Sequence, residues 1–383
     1  MHYLLICLAV SLLTAGVTAG QTAEGNETQI TMDESDQNEP AIYGDTIVWT
    51  DYRNVNLTDD IGNLPVQDFF KLDADIYAYN ISTGEVLQGQ YELLQNIPDI
   101  YGDRVVWEDY RNATLPEDGN NLTTEDWLRL DVNIYMHNLS SGEDMQITAN
   151  ESIQWSPAID GDLIVWEDAR NGNWDIYVYD LSTGEEMQVT GYGSSQMNPA
   201  VSGDGLVVWE DSRNGNWDIY MYNMSSGEEI QLTSNGSDQI APAIYGNIIV
   251  WEDYRNADQA YGNMALEELV QLDADIYGYD LSTGEEFLIT ENESWQGEPA
   301  IYGNRIVWTD LRNVEQATGG SNNTSQDSGM FDADIYMYDL STGEELLITE
   351  DRSWQEEPEI YENRIVWTDY RNGNPDIYVF ELS

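Results

Sequence analysis

The phrase V-W-[TE]-D-x-R-N occurs seven times, with its tryptophan at Trp49, Trp107, Trp166, Trp209, Trp251, Trp308 and Trp367. Successive spacings are 58, 59, 43, 42, 57 and 59 residues. The short spacings define a bare unit of 42 to 43 residues, and the long ones add 15 to 17 between "RN" and the next "DIY" or "NIY". A period of this size means that one supersecondary unit is copied and that neighbouring copies bury each other's apolar faces.

Each copy predicts four short strands. A proline opens the first, as in "PAIYG", and a Gly-Asp or Gly-Asn pair turns it into "RIVWTD" or its equivalent. "RNGN" leads into "DIYVYDL", "STGEE" makes the next turn, and "MQVT", "IQLT" or "LLIT" is the fourth strand. No unit has an apolar period of 3.6 residues, which excludes helical solenoids. Four antiparallel strands in 42 residues match one propeller blade, so seven copies predict an all-β, seven-bladed β-propeller of four-stranded antiparallel blades. The last copy stops at "DIYVFELS" (376–383), after its third strand, whereas "ETQIT" (27–31) copies the outer-strand phrase before any first strand has appeared. The N-terminal strand is therefore expected to complete the last blade, making 27–383 a single domain without a free sheet edge.

Thirteen Lys and Arg stand against 72 Asp and Glu, a formal net charge of -59 with Lys71 as the only lysine. That balance disfavours nucleic acid and anionic lipid as partners, favours cations, and suits a surface that stays hydrated in high salt. Disorder is excluded by 13 Trp and 25 Tyr, far more aromatic content than an unfolded acidic chain carries.

Residues 1–20, "MHYLLICLAVSLLTAGVTAG", read as a signal peptide with small residues for cleavage near Ala19 or Gly20, an uncleaved membrane anchor being the alternative. The n-region lacks Lys and Arg. Cys7, the only cysteine, lies within this run, so the mature chain is expected to hold no thiol for a disulfide, metal site or nucleophile. Twelve N-x-Ser/Thr sequons, from Asn26 to Asn323, point to a glycoprotein on the extracytoplasmic side, secreted or at the cell surface.

The unit P-A-I-x-G-x-x-I-V-W-x-D-x-R-N-G-N-x-D-I-Y-x-Y-D-L-S-T-G-E-E is similar to TolB-type, WD-repeat-like propeller repeats, above all those of exported surface proteins of methanogenic archaea. The resemblance covers 27–383. It implies an extracytoplasmic propeller serving envelope structure, adhesion or protein contact, usually without catalysis. A fold hosts many functions, and the site has to be argued separately.

Residues repeated in every unit point to architecture. The seven D-x-R-N arginines (Arg53, Arg111, Arg170, Arg213, Arg255, Arg312 and Arg371) are expected to pair with the aspartate two positions earlier and to lock the turn or adjacent blades. In the tight turns, Asp168, Asn171, Asn173 and Asp175, with Asp211, Asn214, Asn216 and Asp218 and the analogous Asp369, Asn372, Asn374 and Asp376, offer oxygens at calcium-like spacing. Calcium is thus the one cofactor weighed, as a stabiliser, although the arginine in each loop opposes it; no cofactor is required.

Residues that break the repeat point to function. Inserts at 55–74, 113–132, 257–274 and 314–333 must emerge on one face, giving two raised rims. Loops before each proline open on that same face, and all carry a glutamine: Gln37, Gln95, Gln154, Gln196, Gln239, Gln296 and Gln355. Trp155, Trp295 and Trp354 stand beside three of them, and Trp174 and Trp217 occupy two tight turns. These tryptophans, with Gln154, Gln296 and Gln355, are the candidate contacts to a protein or carbohydrate partner. For catalysis only His137 remains after signal removal, so no histidine-based triad or zinc site can form. The expected function is a non-enzymatic binding or scaffold module. The alternative is a glycoside hydrolase or lyase using paired carboxylates on the insert-bearing face. An enzyme should show one blade with a singular acidic or aromatic departure near the central channel.

Overall fold

The computed structural model describes residues 21–55, 72–88, 94–113, 128, 130–257, 272–314 and 332–383. The signal-like segment, Lys71 and most of each of the four inserts lie outside these residues. Seven sheets follow one another along the chain, six of them as consecutive up-and-down strands. Blade 1 spans 37–88, blade 2 95–146, blade 3 154–188, blade 4 196–231, blade 5 239–288 and blade 6 296–347. Blade 7 combines three strands within 355–382 with the N-terminal strand Gly25–Gln29. The innermost strand of each blade packs against those of both neighbours, and blade 7 meets blade 1, so the ring is closed. The chain is a seven-bladed β-propeller.

The closing strand pairs two residues earlier than the sequence pattern indicates. Gly25 faces Leu382 and Gln29 faces Tyr378 in an antiparallel ladder. Thr31 lies beyond the strand, where its hydroxyl accepts the Ile377 N–H at 2.9 Å and donates to Asp376 at 3.1 Å. Outer strands elsewhere show the same offset, Glu185–Gln188 being the strand and Thr190 the hydroxyl that accepts the Ile176 N–H at 2.8 Å. The threonine side chain thus takes over where the backbone ladder ends. One further strand was not foreseen: Gln21–Thr22 adds in parallel to the outer edge of blade 6.

The repeated phrase acts on both levels of packing. Within each blade the aspartate is fully buried, and one of its oxygens accepts the tryptophan indole N–H at 2.9–3.1 Å. The other accepts the arginine backbone N–H at 2.8–3.0 Å, and the guanidinium closes a salt bridge to the same carboxylate. The guanidinium also lies 3.7–4.2 Å over a third-strand tyrosine ring. In blades 3 to 7 it reaches a glutamate of the outer strand, and in blade 7 that partner is Glu27 of the N-terminal strand. In these five blades arginine therefore ties the second, third and fourth strands together. Contact between blades comes from the tryptophan, as where Trp49 packs on Val366, Ile377 and Val379 of blade 7.

Candidate functional site

A second set of links joins blade to blade near the insert-bearing face. Every innermost strand contains a bulge at the residue before its proline, where φ is positive although none of the seven residues (Glu39, Ile97, Ser156, Asn198, Ala241, Glu298 and Glu357) is glycine. The bulge turns that residue's N–H out of its own sheet. In all seven cases a glutamate of the preceding blade accepts it, at 2.7–3.0 Å.

The glutamate comes from one of two places. Blades 2 to 5 supply it from the second strand, as Glu108, Glu167, Glu210 and Glu252 of the "WED" phrase. Blades 1, 6 and 7 read "WTD" and supply it from the bulge itself, as Glu39, Glu298 and Glu357. There the threonine hydroxyl donates to that same glutamate at 2.9–3.0 Å. Each blade thus contributes one carboxylate to a closed ring of seven. Burial pushes Glu108, Glu167 and Glu252 up to about 8 and Glu298 to about 7, and raises Glu39, Glu210 and Glu357 as well.

The tryptophans singled out by their irregularity sit above this ring. Trp155 donates to the Tyr110 hydroxyl at 3.1 Å, Tyr110 donates to Glu108, and Trp295, Tyr254 and Glu252 repeat the relay three blades on. Trp354 donates to Glu356, which also accepts from Tyr370 at 2.6 Å. Trp174 stacks on Trp155 with centroids 5.1 Å apart. All of them pack into two apolar clusters with the stems of the inserts: Trp155 and Trp174 with Leu72, Leu130 and Ile153, and Trp217, Trp295 and Trp354 with Leu272, Leu311 and Ala333. Trp295 is buried, and the other four are partly exposed. The side chains of Gln154, Gln296 and Gln355 are fully buried, each donating to a serine two residues earlier (Ser152, Ser294 and Ser353), so they hold the loop and do not meet solvent.

The calcium-like turns are already satisfied by protein donors. Asp168 and Asp211 take the tryptophan and arginine bonds described above. Asn171 and Asn173 donate to Asp175, as Asn214 and Asn216 do to Asp218, and in blade 7 Asn372 donates to Asp376 while Asn374 donates to backbone carbonyls. Among the described residues no group of three acidic, histidine or cysteine side chains is arranged to hold a metal ion. His137 lies on the third strand of blade 2, away from its channel-lining first strand, with Nδ1 2.7 Å from Asp144.

A second departure from sevenfold regularity lies at the opposite mouth of the channel, and sequence reasoning passed over it. The last residue of the innermost strand is Tyr43, Tyr101, Tyr245, Tyr302 or Tyr361 in five blades, but Asp160 in blade 3 and Ser202 in blade 4. Five tyrosines therefore form an arc in the spatial order Tyr101, Tyr43, Tyr361, Tyr302, Tyr245, with centroids 4.5–4.7 Å apart and planes 47–53° apart. That angle matches the rotation of about 51° between blades of a seven-membered ring. The neighbouring Tyr43 hydroxyl raises Tyr101, and burial, with the adjacent tyrosines adding to it, raises Tyr302 and Tyr361. In the gap, Asp160 accepts the Gly203 N–H at 2.8 Å, and Asp204 is exposed. The mouth encloses a cup of about 560 Å³, lined by the arc, Asp160, Ser202, Gly203, Asp204 and the isoleucines beneath.

Two more singular acids stand one layer deeper. Asp99 and Glu359 replace the alanine of "PAI" in blades 2 and 7. Asp99 accepts the N–H groups of Ile100 and Ile159, both at 2.7 Å, bridging blades 2 and 3. Burial pushes Asp99 to about 6, the Asp160 charge adding to it, and Glu359, although solvent-exposed, is raised by the protein crowded around it and by the Asp99 charge. The signal was present in the sequence as "PDIYG", "PAIDG", "PAVSG" and "PEIYE". It went unread because the inserts are longer and more conspicuous.

No protein-family model matches the chain, and no curated protein is similar to it in sequence. Solved structures match in fold. The β-propeller domain of the Trilobed protease from Pyrococcus furiosus superimposes with a TM-score of 0.61 at 14% identity, covering 91% of this chain and 94% of that one. That domain is described as having an open velcro topology, whereas here the N-terminal strand closes the ring. Oligogalacturonate lyase from Vibrio parahaemolyticus gives 0.59 at 11% identity over 95% and 96% of the two chains. TolB from Acinetobacter baumannii is also similar, with a TM-score of 0.43 at 16% identity over 86% and 85%. At these identities the likeness is one of fold and decides no function.

Proposed function

We propose that this protein is an exported, cell-surface β-propeller acting as a non-enzymatic binding or scaffold module for a protein or glycan partner of the envelope. The observation that carries the reading is the cup at the channel mouth, where, among the described residues, side chains break sevenfold order around an open volume of ligand size. Its lining contains tyrosines, carboxylates and a buried serine but no histidine, cysteine or lysine to serve as base or nucleophile. The signal-like N-terminus, the sequons and the charge of -59 support placement outside the cytoplasm, in the manner of archaeal surface propellers. Glycan-array and partner-binding measurements on the purified protein, run beside hydrolysis and elimination assays, test the reading. Saturable binding without turnover is expected.

The competing reading is acid–base cleavage of a glycan, and one observation favours it: Asp99 and Glu359 are singular channel acids with raised proton affinity. They lie towards the cup and not on the insert-bearing face. Turnover abolished by Asp99→Asn or Glu359→Gln would establish the enzyme and overturn the binding module.

A further inference from the structure

The cup has a definite chemical preference. Five phenol rings packed side by side offer ring surface and hydroxyl oxygens. The open side of the arc holds Asp160 and Asp204, and Asp99 of the adjacent blade stands near enough to Asp160 to feel its charge. No basic side chain lines the volume. The nearby arginines are already committed: Arg104 to Asp162 and the Gly161 carbonyl, Arg305 to the Glu362 carbonyl, Arg364 to Asp45 and the Gly44 carbonyl.

The protein itself shows what such a lining holds. Seven times over, a guanidinium lies 3.7–4.2 Å above a tyrosine ring with its N–H groups on an aspartate. A planar guanidinium is suited to both contacts at once, stacking on the ring and bonding the carboxylate. At one end of the arc Arg104 already lies 5.7 Å over the Tyr101 ring, while Asp160 and the other four tyrosines of the cup carry no such cation among the described residues.

We propose that the cup is a receptor for an arginine side chain presented by a protein partner, the guanidinium stacking within the tyrosine arc and bonding to Asp160. The inference rests on the reading of the protein as a binding module. It makes blades 3 and 4 the specificity-determining part of the ring, because only there does the arc open and turn acidic. A seventh-order cup of tyrosines would close on itself and exclude the charged head.

Calorimetric titration of the purified protein with N-acetyl-arginine amide and with its neutral near-isostere N-acetyl-citrulline amide tests the proposal at low ionic strength. The arginine probe is expected to bind at least tenfold more tightly, since the two differ only in the charge and donor set of the head group. Asp160→Asn and Asp160→Tyr are each expected to weaken it at least tenfold; the second restores the residue found in five blades, so its fold is checked by an unchanged melting temperature. Asp180→Asn removes a charge from an exposed turn where three other blades already carry asparagine, and it should bind as the wild type does. Equal affinity for the two probes, no binding of the arginine probe, or an Asp180→Asn loss as large as that of Asp160→Asn overturns the proposal. If the arginine probe fails while glycan binding without turnover persists, the binding-module reading stands and the cup assignment alone falls.

Discussion

The backbone N–H of Glu39 donates to the carboxylate of Glu357 across 3.0 Å, joining residues 318 positions apart in the chain. This is the seventh bond of the carboxylate ring, and it is made across the seam between blade 7 and blade 1. The seam is therefore held by the same interaction as every other junction, in addition to the strand pairing of Gly25–Gln29 on the rim.

Stability should fall as the solution becomes alkaline. The ring glutamates hold their protons more tightly in the folded protein than their ordinary value of 4.5, because burial disfavours the charged form. Their stabilising effect is complete below about pH 4.5 and is lost as pH rises through 7 to 8. Melting temperature is expected to drop between pH 6 and 9. The triple variant Glu108→Gln, Glu167→Gln, Glu252→Gln keeps an acceptor for each bulge N–H and should show a shallower drop. An equally steep drop in that variant would remove the ring as the cause.

Deleting residues 21–31 removes the outer strand of blade 7, the Glu27 partner of Arg371 and the Thr31 hydroxyl. The exposed edge of Asp376–Leu382 should then become sensitive to protease and prone to association, with a large fall in melting temperature. Thr31→Val tests the hydroxyl alone. It leaves the Ile377 N–H without that acceptor, at a cost of about 1–3 kcal/mol measured by denaturant unfolding.

Arg213→Ala strips the guanidinium from Asp211, whose side chain is fully buried, and from the ring of Tyr220 at 4.1 Å. The loss of one partner of a largely buried pair should cost about 3 kcal/mol. Arg213→Lys should recover little of it, since an ammonium neither forks onto the carboxylate nor stacks on the phenol. Full recovery by lysine would show that charge alone matters.

A chelator should leave the melting curve unchanged. The carboxylates of Asp168, Asp175, Asp211 and Asp218 are engaged by indole, guanidinium and amide donors, which a calcium ion would have to displace. A melting temperature that rises with added calcium and falls with chelator would restore the metal reading of these turns.

The ring was legible in the sequence because repetition carries it: spacing, strand count and the outer-strand phrase at 27–31 lead to seven blades closed by the N-terminus. The role of Arg213 and its six counterparts was legible in part, since the i–2 aspartate is local, while the stacking on a third-strand tyrosine is not. The carboxylate ring was hidden by its two addresses. A reader comparing "WED" with "WTD" sees a substitution, and only the fold shows that Glu39, Glu298 and Glu357 replace the missing side chain from the bulge. The cup was hidden differently, since Asp160 and Ser202 become neighbours only when consecutive blades are stacked about the axis.

Gly25–Gln29 and Asp376–Leu382 lie at opposite ends of the described chain, Gln29 and Asp376 being 347 positions apart. Six blades are assembled from neighbours in sequence, but the remaining one has no complete sheet until both ends are present in the same place. Whichever strand is made first must wait for the other, so this pairing carries a loop-closure cost that the other six blades do not. A chain built this way becomes a ring only once its first and last strands have met. Its ring is a record that the whole body has arrived.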